Sequence, residues 1–491
     1  MSETLVPAPR PNVLFITLDQ FRGDCLSSAG HAIARTPNLD ALAAEGIRLA
    51  RHYSQAAPCG PGRASIYTGM YQMNHRVVSN GTPLRREFDN VALMARRSGY
   101  APAMFGYSDQ AIDPRDADGP DDPRMSTYTG VLPGFECVLD LSDDSTAFQT
   151  WLGTLGYDGL LTYGHALFTE NERPAEHSST AFTTNTIIDW IDAQTEPWFA
   201  HASYLRPHPP LVAAGHYATM FDPADMPTPI APMVNPHPLH QAYLDHPYRS
   251  SPKDPNEMRK LQTQYFGLIA ELDDQLGRLW QWLRDRDLWH NTIIVVTADH
   301  GEQLGDHGVM NKLGWFEESY HVPGIVRDPR HPEGFGSVVK RFTENIDLFP
   351  TLCDAFGQPV PTQCDGVPLT HFLQGNAPPW WRDAAHWEFD WRFRRIGVDD
   401  PQWPWDREFE SNNLAVVRNE THAYVQFGDG SFLCFDLAAD ATWRTLEHDP
   451  AVVLPLAQSM LTWRSRHTER TFTDMLTFKG GIGRVPEFPT V

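Results

Sequence analysis

The sequence predicts an α/β protein in which helices cover both faces of a mostly parallel central sheet, followed by a smaller C-terminal α+β domain with an antiparallel sheet. Two continuous apolar runs, residues 12–18 and 292–298, support the first part because they are rich in β-branched side chains and do not alternate with polar residues. Such runs are typical of strands buried on both faces. Three short strand-like segments after residue 413 support the second part.

Each apolar run ends in a pair of side chains that can bind a cation. Asp19 and Gln20 follow the first run, and Asp299 and His300 follow the second. Ligands of open α/β sheets bind beyond the carboxyl ends of the strands, so neighbouring strands would bring all four side chains to one edge. Carboxylate, amide and imidazole groups without a thiolate favour Ca²⁺ or Mn²⁺, with Mg²⁺ also suitable, over a structural zinc. Alternatively, both aspartates could simply cap the helices that follow their strands.

Two further apolar segments and one long helix complete the predicted large domain. Residues 101–105 and 198–204 have the composition of buried strands, and each continues into a polar loop. Farther along, Asp254 is predicted to be the N-cap of a helix, with Pro255 at the first helical position. A single apolar stripe at helical spacing marks the buried face of that helix: Leu268, Leu272, Leu276, Leu279 and Leu283.

The C-terminal part of the chain predicts a small meander closed by a helix. The strand-like segments are 414–417, 422–427 and 431–437, and a helical pattern covers about residues 451–466. We therefore divide the chain into domains 1–385 and 386–491.

An aromatic segment, residues 376–410, and the C-terminal tail, residues 468–491, exceed what such a small domain needs for its own core. We expect them to form the interface of a homo-oligomer, a dimer or a tetramer. Ordinary packing between the two domains is the alternative.

Charge and composition restrict the possible partners. The net charge is -23, and no Lys/Arg-rich run offsets it, so nucleic acid and anionic membranes are not expected partners. The N-terminal segment has no apolar core of a secretion signal, and no apolar run is long enough to cross a bilayer. We therefore expect a cytoplasmic protein with reduced cysteines. A small anionic substrate would depend on a few local cations or on a metal ion.

The segment Cys59-Gly60-Pro61-Gly62-Arg63 is the most distinctive part of the chain. It leads into a helix-like stretch, and the backbone N–H groups at a helix start favour a bound anion and a reactive sulfur. Taken alone, the same residues could equally form a buried cysteine beside turn prolines.

This segment resembles the C-x-P-x-R signature of type I sulfatases, in which the cysteine is oxidised to formylglycine. Two more blocks are similar to the same family and stand in the same order: residues 12–20, and residues 298–308 with Lys312 after them. Three ordered blocks are far more specific than one motif. Over roughly the first 380 residues the chain resembles formylglycine-dependent sulfatases and the related phosphonate monoester hydrolases. This resemblance implies an α/β/α sandwich like that of alkaline phosphatase.

The resemblance also implies roles for individual side chains. One divalent cation would be held by Asp19, Gln20, Asp299 and His300. Cys59, as formylglycine, would be the nucleophile, and Arg63 would hold that side chain. Asn80 and Tyr107 would contact the substrate, and His208 and Lys312 would grip the transferred group or serve the leaving oxygen.

Asp109 departs from both branches of the family. After the corresponding strand many sulfatases carry a Lys-x-His pair and the phosphonate branch resembles Tyr-x-Thr, whereas this chain has Tyr107 and Asp109. A carboxylate near an anionic substrate repels it unless the carboxylate is protonated or paired. Asp109 could instead contact a cationic or hydrogen-bonding part of the substrate, or turn outward.

From the resemblance we expect a hydrolase of sulfate monoesters, of the arylsulfatase type, that uses formylglycine derived from Cys59 and one divalent metal ion. The alternative is a phosphonate monoester hydrolase and phosphodiesterase with the same site and promiscuity between the two classes. A hydrated aldehyde offers one hydroxyl for attack and a second for release of the product by C–O cleavage. A formylglycine-generating enzyme is the implied maturation partner. A non-catalytic scaffold would require the whole motif set to be a relic.

Overall fold

Eight strands form the central sheet of this computed structural model, which describes residues 10–468 except 128, 143–144, 161, 391–409 and 412, and two short strands at 476–477 and 483–484. The eight strands are β1 (Asn12–Leu18), β2 (Ile47–Tyr53), β3 (Ala103–Gly106), β4 (Glu136–Asp140), β5 (Phe199–Tyr204), β6 (Thr292–Thr297), β7 (Gly324–Arg327) and β8 (Ser337–Glu344). Their order across the sheet is β4-β3-β5-β1-β6-β7-β2-β8. Only β7 runs antiparallel to its neighbours. The two apolar runs of the sequence are therefore the adjacent central strands β1 and β6.

Helices cover both faces of this sheet. They are α1 (Pro37–Ala44), α2 (Cys59–Thr68), α3 (Gln72–His75), α4 (Val91–Arg97), α5 (Ala147–Thr154), α6 (Tyr163–Phe168), α7 (Ser179–Asp192), α8 (Pro238–Leu244), α9 (Pro255–Asp285), α10 (Leu348–Ala355) and α11 (Thr370–Leu373). Alternate side chains of β1 enter different cores: Leu14 and Ile16 pack with residues of α1, α7 and α9, whereas Val13 and Phe15 pack with residues of α2, α4 and α10. The predicted α/β/α sandwich is confirmed.

The long helix α9 begins as the sequence predicts. The Asp254 side chain accepts a hydrogen bond from the backbone N–H of Asn256, and Pro255 is the first helical residue. All five leucines of the predicted stripe are fully buried. Because each buried leucine contributes about 1.5–3 kcal/mol, this face anchors the helix to the sheet far more strongly than its cap does.

A second sheet has four antiparallel strands: β9 (Ala385–Phe389), β10 (Leu414–Arg418), β11 (His422–Phe427) and β12 (Phe432–Asp436), in the order β12-β11-β10-β9. The helix α12 (Pro450–His467) follows it. The predicted meander and closing helix are confirmed, but β9 was not predicted. It lies inside the aromatic segment. Its residues alternate between apolar and polar, but the run is only five residues long and all five are buried. The boundary at residue 385 coincides with the start of β9 and stays a prediction.

Two expectations concern residues at the margins of the described chain. Within the described ranges, no helix is long and apolar enough to cross a membrane. Residues 391–409, most of the tail after 468 and the N-terminal nine residues lie outside the described residues. The interface that we expected from segments 376–410 and 468–491 therefore stays a prediction.

Candidate active site

Four side chains that can bind a metal ion meet at the carboxyl edge of the large sheet. Asp19 follows β1, Asp299 and His300 follow β6, and Cys59 is the first residue of α2. All four are buried, and one ligand atom from each lies within 4.8 Å of those of the others. The parallel register of β1 and β6 explains this convergence, since Thr17 pairs with Thr297 and the two chains leave the sheet side by side.

Arg63 contacts one oxygen of each of the two carboxylates, Asp19 and Asp299. Its Nε donates to Asp299 Oδ2 at 2.9 Å and its Nη2 donates to Asp19 Oδ2 at 3.1 Å. The Oδ1 atoms, which Arg63 does not contact, each lie 3.7 Å from His300 Nε2. Cys59 Sγ lies 3.2 Å from the same nitrogen. Two carboxylate oxygens, an imidazole nitrogen and the Cys59 side chain thus converge, which suits one divalent cation.

The guanidinium of Arg63 is fully buried, and its remaining contacts are with other groups of the protein. Its Nη1 donates to Tyr107 O at 2.9 Å and to Ser203 Oγ at 2.7 Å, and the group stacks on the Tyr107 ring, 4.3 Å from its centroid. Among the contacts of the described residues, none joins Arg63 to the Cys59 sulfur. Arg63 therefore fixes the two carboxylates. Ser203 was not predicted, because only the register of β5 beside β1, which pairs it with Thr17, brings it to Arg63.

Burial and nearby charges set the pKa values of the two acids in opposite directions. Burial favours a higher pKa for Asp19, but His208, Arg63, His300 and Lys312 outweigh burial and hold that pKa below its usual range. For Asp299, burial and the charge of Asp19 raise the pKa to about 8. A divalent cation between these side chains would supply the missing positive charge and displace a proton.

Two opposing influences act on the Cys59 thiol. The helix α2 does begin at Cys59. Burial and the charge of Asp19 raise the pKa of this thiol well above its ordinary value, which opposes the effect of the helix N-terminus. The reactivity of Cys59 that we expected from the sequence stays a prediction. Burial, followed by the charge of Lys312, also lowers the pKa of His300 well below its usual value, which leaves the neutral imidazole that metal ions bind.

Gln20 connects this cluster to Lys312. The backbone of Gln20 is in the left-handed region, with φ 66°, and its N–H donates to Asp299 Oδ1 at 3.2 Å. Lys312 Nζ donates to Gln20 Oε1 at 2.5 Å, and Gln20 Nε2 donates to Glu302. The Gln20 amide oxygen thus faces Lys312, and metal ligation by Gln20 stays a prediction.

Glu302 is a buried carboxylate that was not among the predicted site residues. Its Oε1 accepts hydrogen bonds from the backbone N–H groups of Leu304, at 2.8 Å, and Asn311, at 2.6 Å. Because the other oxygen receives the Gln20 amide, Glu302 fixes the side chain of Gln20 and hence its contact with Lys312. Its place three residues after Asp299, within the block 298–308, is the signal that could have found it.

His208 approaches from the loop after β5. Its Nδ1 lies 2.7 Å from Pro209 O, and since a carbonyl oxygen only accepts, Nδ1 carries the proton. Burial, followed by the charge of Lys312, lowers the pKa of His208 to about 4. The loop is fixed by Arg206, whose Nη1 donates to His208 O at 3.0 Å and Pro210 O at 2.8 Å. Arg206 is itself paired with Glu170.

The three predicted substrate-contacting residues also border Cys59 and Asp19. Asn80 Oδ1 accepts from the backbone N–H of Gly60 at 2.8 Å, and Tyr107 OH donates to Asp19 Oδ2 at 2.6 Å. Asp109 is buried, with its carboxylate 3.8 Å from Arg63 Nε, so it does not turn outward. The structure thus brings the predicted site residues to one edge of the sheet, and their individual roles stay predictions.

Comparisons with known proteins point to one family. The family profile described as Sulfatase matches residues 11–358. The multifunctional alkaline phosphatase superfamily protein PehA of Trinickia caryophylli is 36% identical over 96% of this chain and 99% of its own length. The crystal structure of the phosphonate monoester hydrolase of Agrobacterium radiobacter is 39% identical, with a TM-score of 0.87 over 97% of this chain and 100% of that one. The phosphonate monoester hydrolase SpPMH from Silicibacter pomeroyi is 35% identical, with a TM-score of 0.86 over 97% of this chain and 99% of that one.

Proposed function

This chain is a hydrolase that belongs to the sulfatase family, and we propose that it cleaves phosphonate monoesters and phosphodiesters, with sulfate monoesters as a second substrate class. The order of the two classes reverses the one that we expected from the sequence. Relatives that are 35–39% identical over nearly the whole chain and are named as phosphonate monoester hydrolases support this reversal.

The convergence of Asp19, Asp299 and His300 around Cys59 is the observation that carries the proposal. A divalent cation bound there would neutralise negative charge on the ester oxygens and lower the barrier to attack at phosphorus or sulfur. Asp19, Asp299 and His300 would hold that cation, and the amide of Gln20 is a further proposed ligand. Oxidation of Cys59 to formylglycine by a generating enzyme, followed by addition of water to the aldehyde, would supply the nucleophilic hydroxyl.

The remaining residues of the chain bind and orient the ester in this proposal. Asn80 and Tyr107 lie beside Cys59 and Asp19 and would contact the non-bridging oxygens. Lys312, held by Gln20, would place a positive charge near the leaving oxygen. His208 would hold a proton at Nε2 for the leaving oxygen once a bound anion raises its pKa.

A substrate panel on a single preparation tests the proposal. The panel contains 4-nitrophenyl phenylphosphonate, bis-4-nitrophenyl phosphate and 4-nitrophenyl sulfate, which share one leaving group, and metal content is measured on the same sample. We expect the two phosphorus esters to give the highest kcat/KM with about one equivalent of divalent metal per chain. A clear preference for the sulfate ester would restore the arylsulfatase assignment. Turnover of none of the three esters by fully metallated and oxidised protein would refute both.

The nucleophile is tested separately. Peptide mass spectrometry should show the thiol-to-aldehyde mass loss at Cys59 in protein produced with a formylglycine-generating enzyme. Cys59→Ala should reduce kcat by about three orders of magnitude or more. Cys434→Ala, at another buried free cysteine, is the matched control and should keep full turnover. Activity that survives Cys59→Ala would contradict the mechanism.

A further inference from the structure

Three side chains at the edge of the four-stranded sheet form a second cluster that can bind a metal ion. They are His422, the first residue of β11, Asp436, the last residue of β12, and Glu447, in the segment that precedes α12. One ligand atom of each residue lies within 4.8 Å of those of the other two, and all three residues are half-buried. The cluster belongs to the small sheet, whereas the active site lies at the edge of the large one.

Strand pairing places these three side chains on one face of the small sheet. His422 and Asp436 are directly opposite each other in β11 and β12. On the other side of β12, Phe435 pairs with Leu446 in antiparallel orientation. Because side chains alternate along a strand, Asp436 and Glu447 lie on the face opposite to that of Phe435 and Leu446. Three adjacent chain segments thus build the cluster through their register.

Main-chain groups orient the two carboxylates. Asp436 Oδ1 accepts hydrogen bonds from the backbone N–H groups two and three residues farther along, both at 3.0 Å. Glu447 Oε1 accepts from the backbone N–H groups of the next two residues, both at 2.7 Å. Among the contacts of the described residues, no hydrogen bond reaches Asp436 Oδ2 or Glu447 Oε2, and no arginine or lysine pairs with either acid. One oxygen of each carboxylate is therefore fixed, and the other is available to a cation.

A short chain of hydrogen bonds sets the tautomer of His422. Its Nδ1 lies 2.9 Å from Thr421 Oγ1, and the Thr421 hydroxyl donates to Asn419 Oδ1 at 3.4 Å. Because the hydroxyl proton of Thr421 is directed to Asn419, Thr421 Oγ1 accepts the proton of Nδ1. The Nε2 atom of His422 then keeps the lone pair that metal ions bind. Donation from the other ring nitrogen to a neighbouring acceptor is the usual arrangement of a metal-binding histidine.

We propose that His422, Asp436 and Glu447 form a second divalent-cation site, with a structural role. One imidazole and two carboxylates suit a borderline transition-metal cation, and Zn²⁺ binds such a set more tightly than Mn²⁺ does. Ca²⁺ is less suitable, because it takes about six to eight oxygen ligands. The bound cation would join β11, β12 and residues 445–447 at the edge of the sheet. The inference goes beyond the proposed function, since no step of ester hydrolysis requires this site.

Calorimetric titration with Zn²⁺ at pH 7.5 tests this inference on protein that already carries metal in its active site. We expect the wild-type chain to bind about one further equivalent, and Glu447→Gln to bind it at least about tenfold more weakly. Gln keeps an oxygen for the two backbone N–H groups, so this change removes the charge and leaves their support. His331→Asn, at a histidine that pairs with Glu333, is the matched control and should bind like the wild type. Exchange of Zn²⁺ into the active site is common to all variants, so their difference isolates the second site.

Hydrogen exchange measured by mass spectrometry locates the bound ion, and neither experiment depends on turnover. Zn²⁺ should slow the exchange of backbone N–H groups in β11, β12 and residues 445–447 of the wild-type protein, but not in Glu447→Gln. Asp436→Asn, which also keeps its backbone contacts, should show the same loss and replaces Glu447→Gln if that variant does not fold. Equal Zn²⁺ binding by the wild type and these variants, or exchange that Zn²⁺ leaves unchanged in these segments, would overturn the inference.

Discussion

The site combines two regions that are built differently. The first, here called the metal region, consists of Asp19, Cys59, Arg63, Asp299 and His300; these residues follow central strands or lie in α2, and all five are at most 4% exposed. The second, here called the leaving-group region, consists of His208 and Lys312, which both lie on loops.

The comparison shows how each kind of position is made rigid. Sheet hydrogen bonds and the contacts of Arg63 fix the metal region. Cation binding requires ligands placed to within a few tenths of an ångström. The leaving-group region lacks such a ladder, and buried polar pairs replace it: Arg206 with Glu170 fixes the loop of His208, and Glu302 fixes Gln20, which holds Lys312. Substitutions in the metal region should therefore reduce metal binding and stability, whereas substitutions in the leaving-group region should reduce turnover alone.

The largest effect is expected for Arg63→Met, which removes the guanidinium group that pairs with Asp19 and Asp299. Breaking a buried ion pair on one side costs about 3–5 kcal/mol, and the two acids would no longer be held as metal ligands. Urea unfolding should show that loss, and turnover and bound metal should fall to background. Arg124→Met, at an arginine 52% exposed in its pair with Asp122, should change the stability by less than about 1 kcal/mol. Normal metal content in a stable Arg63→Met protein would show that the strand ends alone fix the carboxylates.

The next effect concerns His208→Ala in the leaving-group region. Loss of a general acid should lower kcat/KM by about 10²–10⁴-fold for esters with strongly basic leaving groups and far less for 4-nitrophenolate. Metal content and stability should stay at wild-type levels, because His208 is not part of the metal region. His216→Ala, at an exposed histidine farther along the same segment, serves as the control. Equal losses across a leaving-group series would remove the acid role from His208.

A pH effect should test the support of the leaving-group region, because the charge of Glu170 acts on the carboxyl group of Glu271. Glu271 is fully buried, and burial followed by the charge of Glu170 raises its pKa from 4.5 to about 8. Because the folded chain binds this proton more tightly, the stabilisation is complete below the unfolded value and is lost as the pH rises towards 8. Glu271 should therefore contribute a loss of about 2 kcal/mol in the free energy of unfolding between pH 6 and pH 8, and Glu271→Gln should remove that contribution. Glu257→Gln, at an exposed position of α9, should retain the wild-type slope; a wild-type profile without a slope would contradict the assignment.

The smallest effect is expected for Arg206→Lys, which keeps the positive charge but leaves one ammonium group to serve both Glu170 and the loop carbonyl groups that Nη1 of Arg206 contacts. We expect kcat for poor leaving groups to fall about tenfold, since His208 becomes less well placed, while KM and the metal content stay unchanged. Arg278→Lys, at an exposed arginine of α9, is the control. A loss carried by KM instead of kcat would mean that Arg206 serves substrate binding and does not position His208.

The sequence was informative wherever a local pattern carries the structure. Four features were predictable because buried strands and amphipathic helices leave sequence patterns that repeat within a few residues. They are the runs 12–18 and 292–298, the cap at Asp254 and the leucine stripe of α9. The strand β9 was not predicted, because its alternating run is only five residues long and lies within the aromatic segment. Glu170 and Arg206 were not predictable either: they are 36 residues apart, and neither belongs to a motif.

By itself, the sequence determined the fold class, the two strand ends that carry acids, and the cysteine motif at the start of a helix. Only the tertiary structure decided that Arg63 contacts one oxygen of each acid, that burial raises the pKa of the Cys59 thiol, and that Asp109 is buried. The physical reason is that hydrogen-bond direction and desolvation depend on neighbours from distant parts of the chain, whereas hydrophobic periodicity and capping depend on neighbours within a few residues.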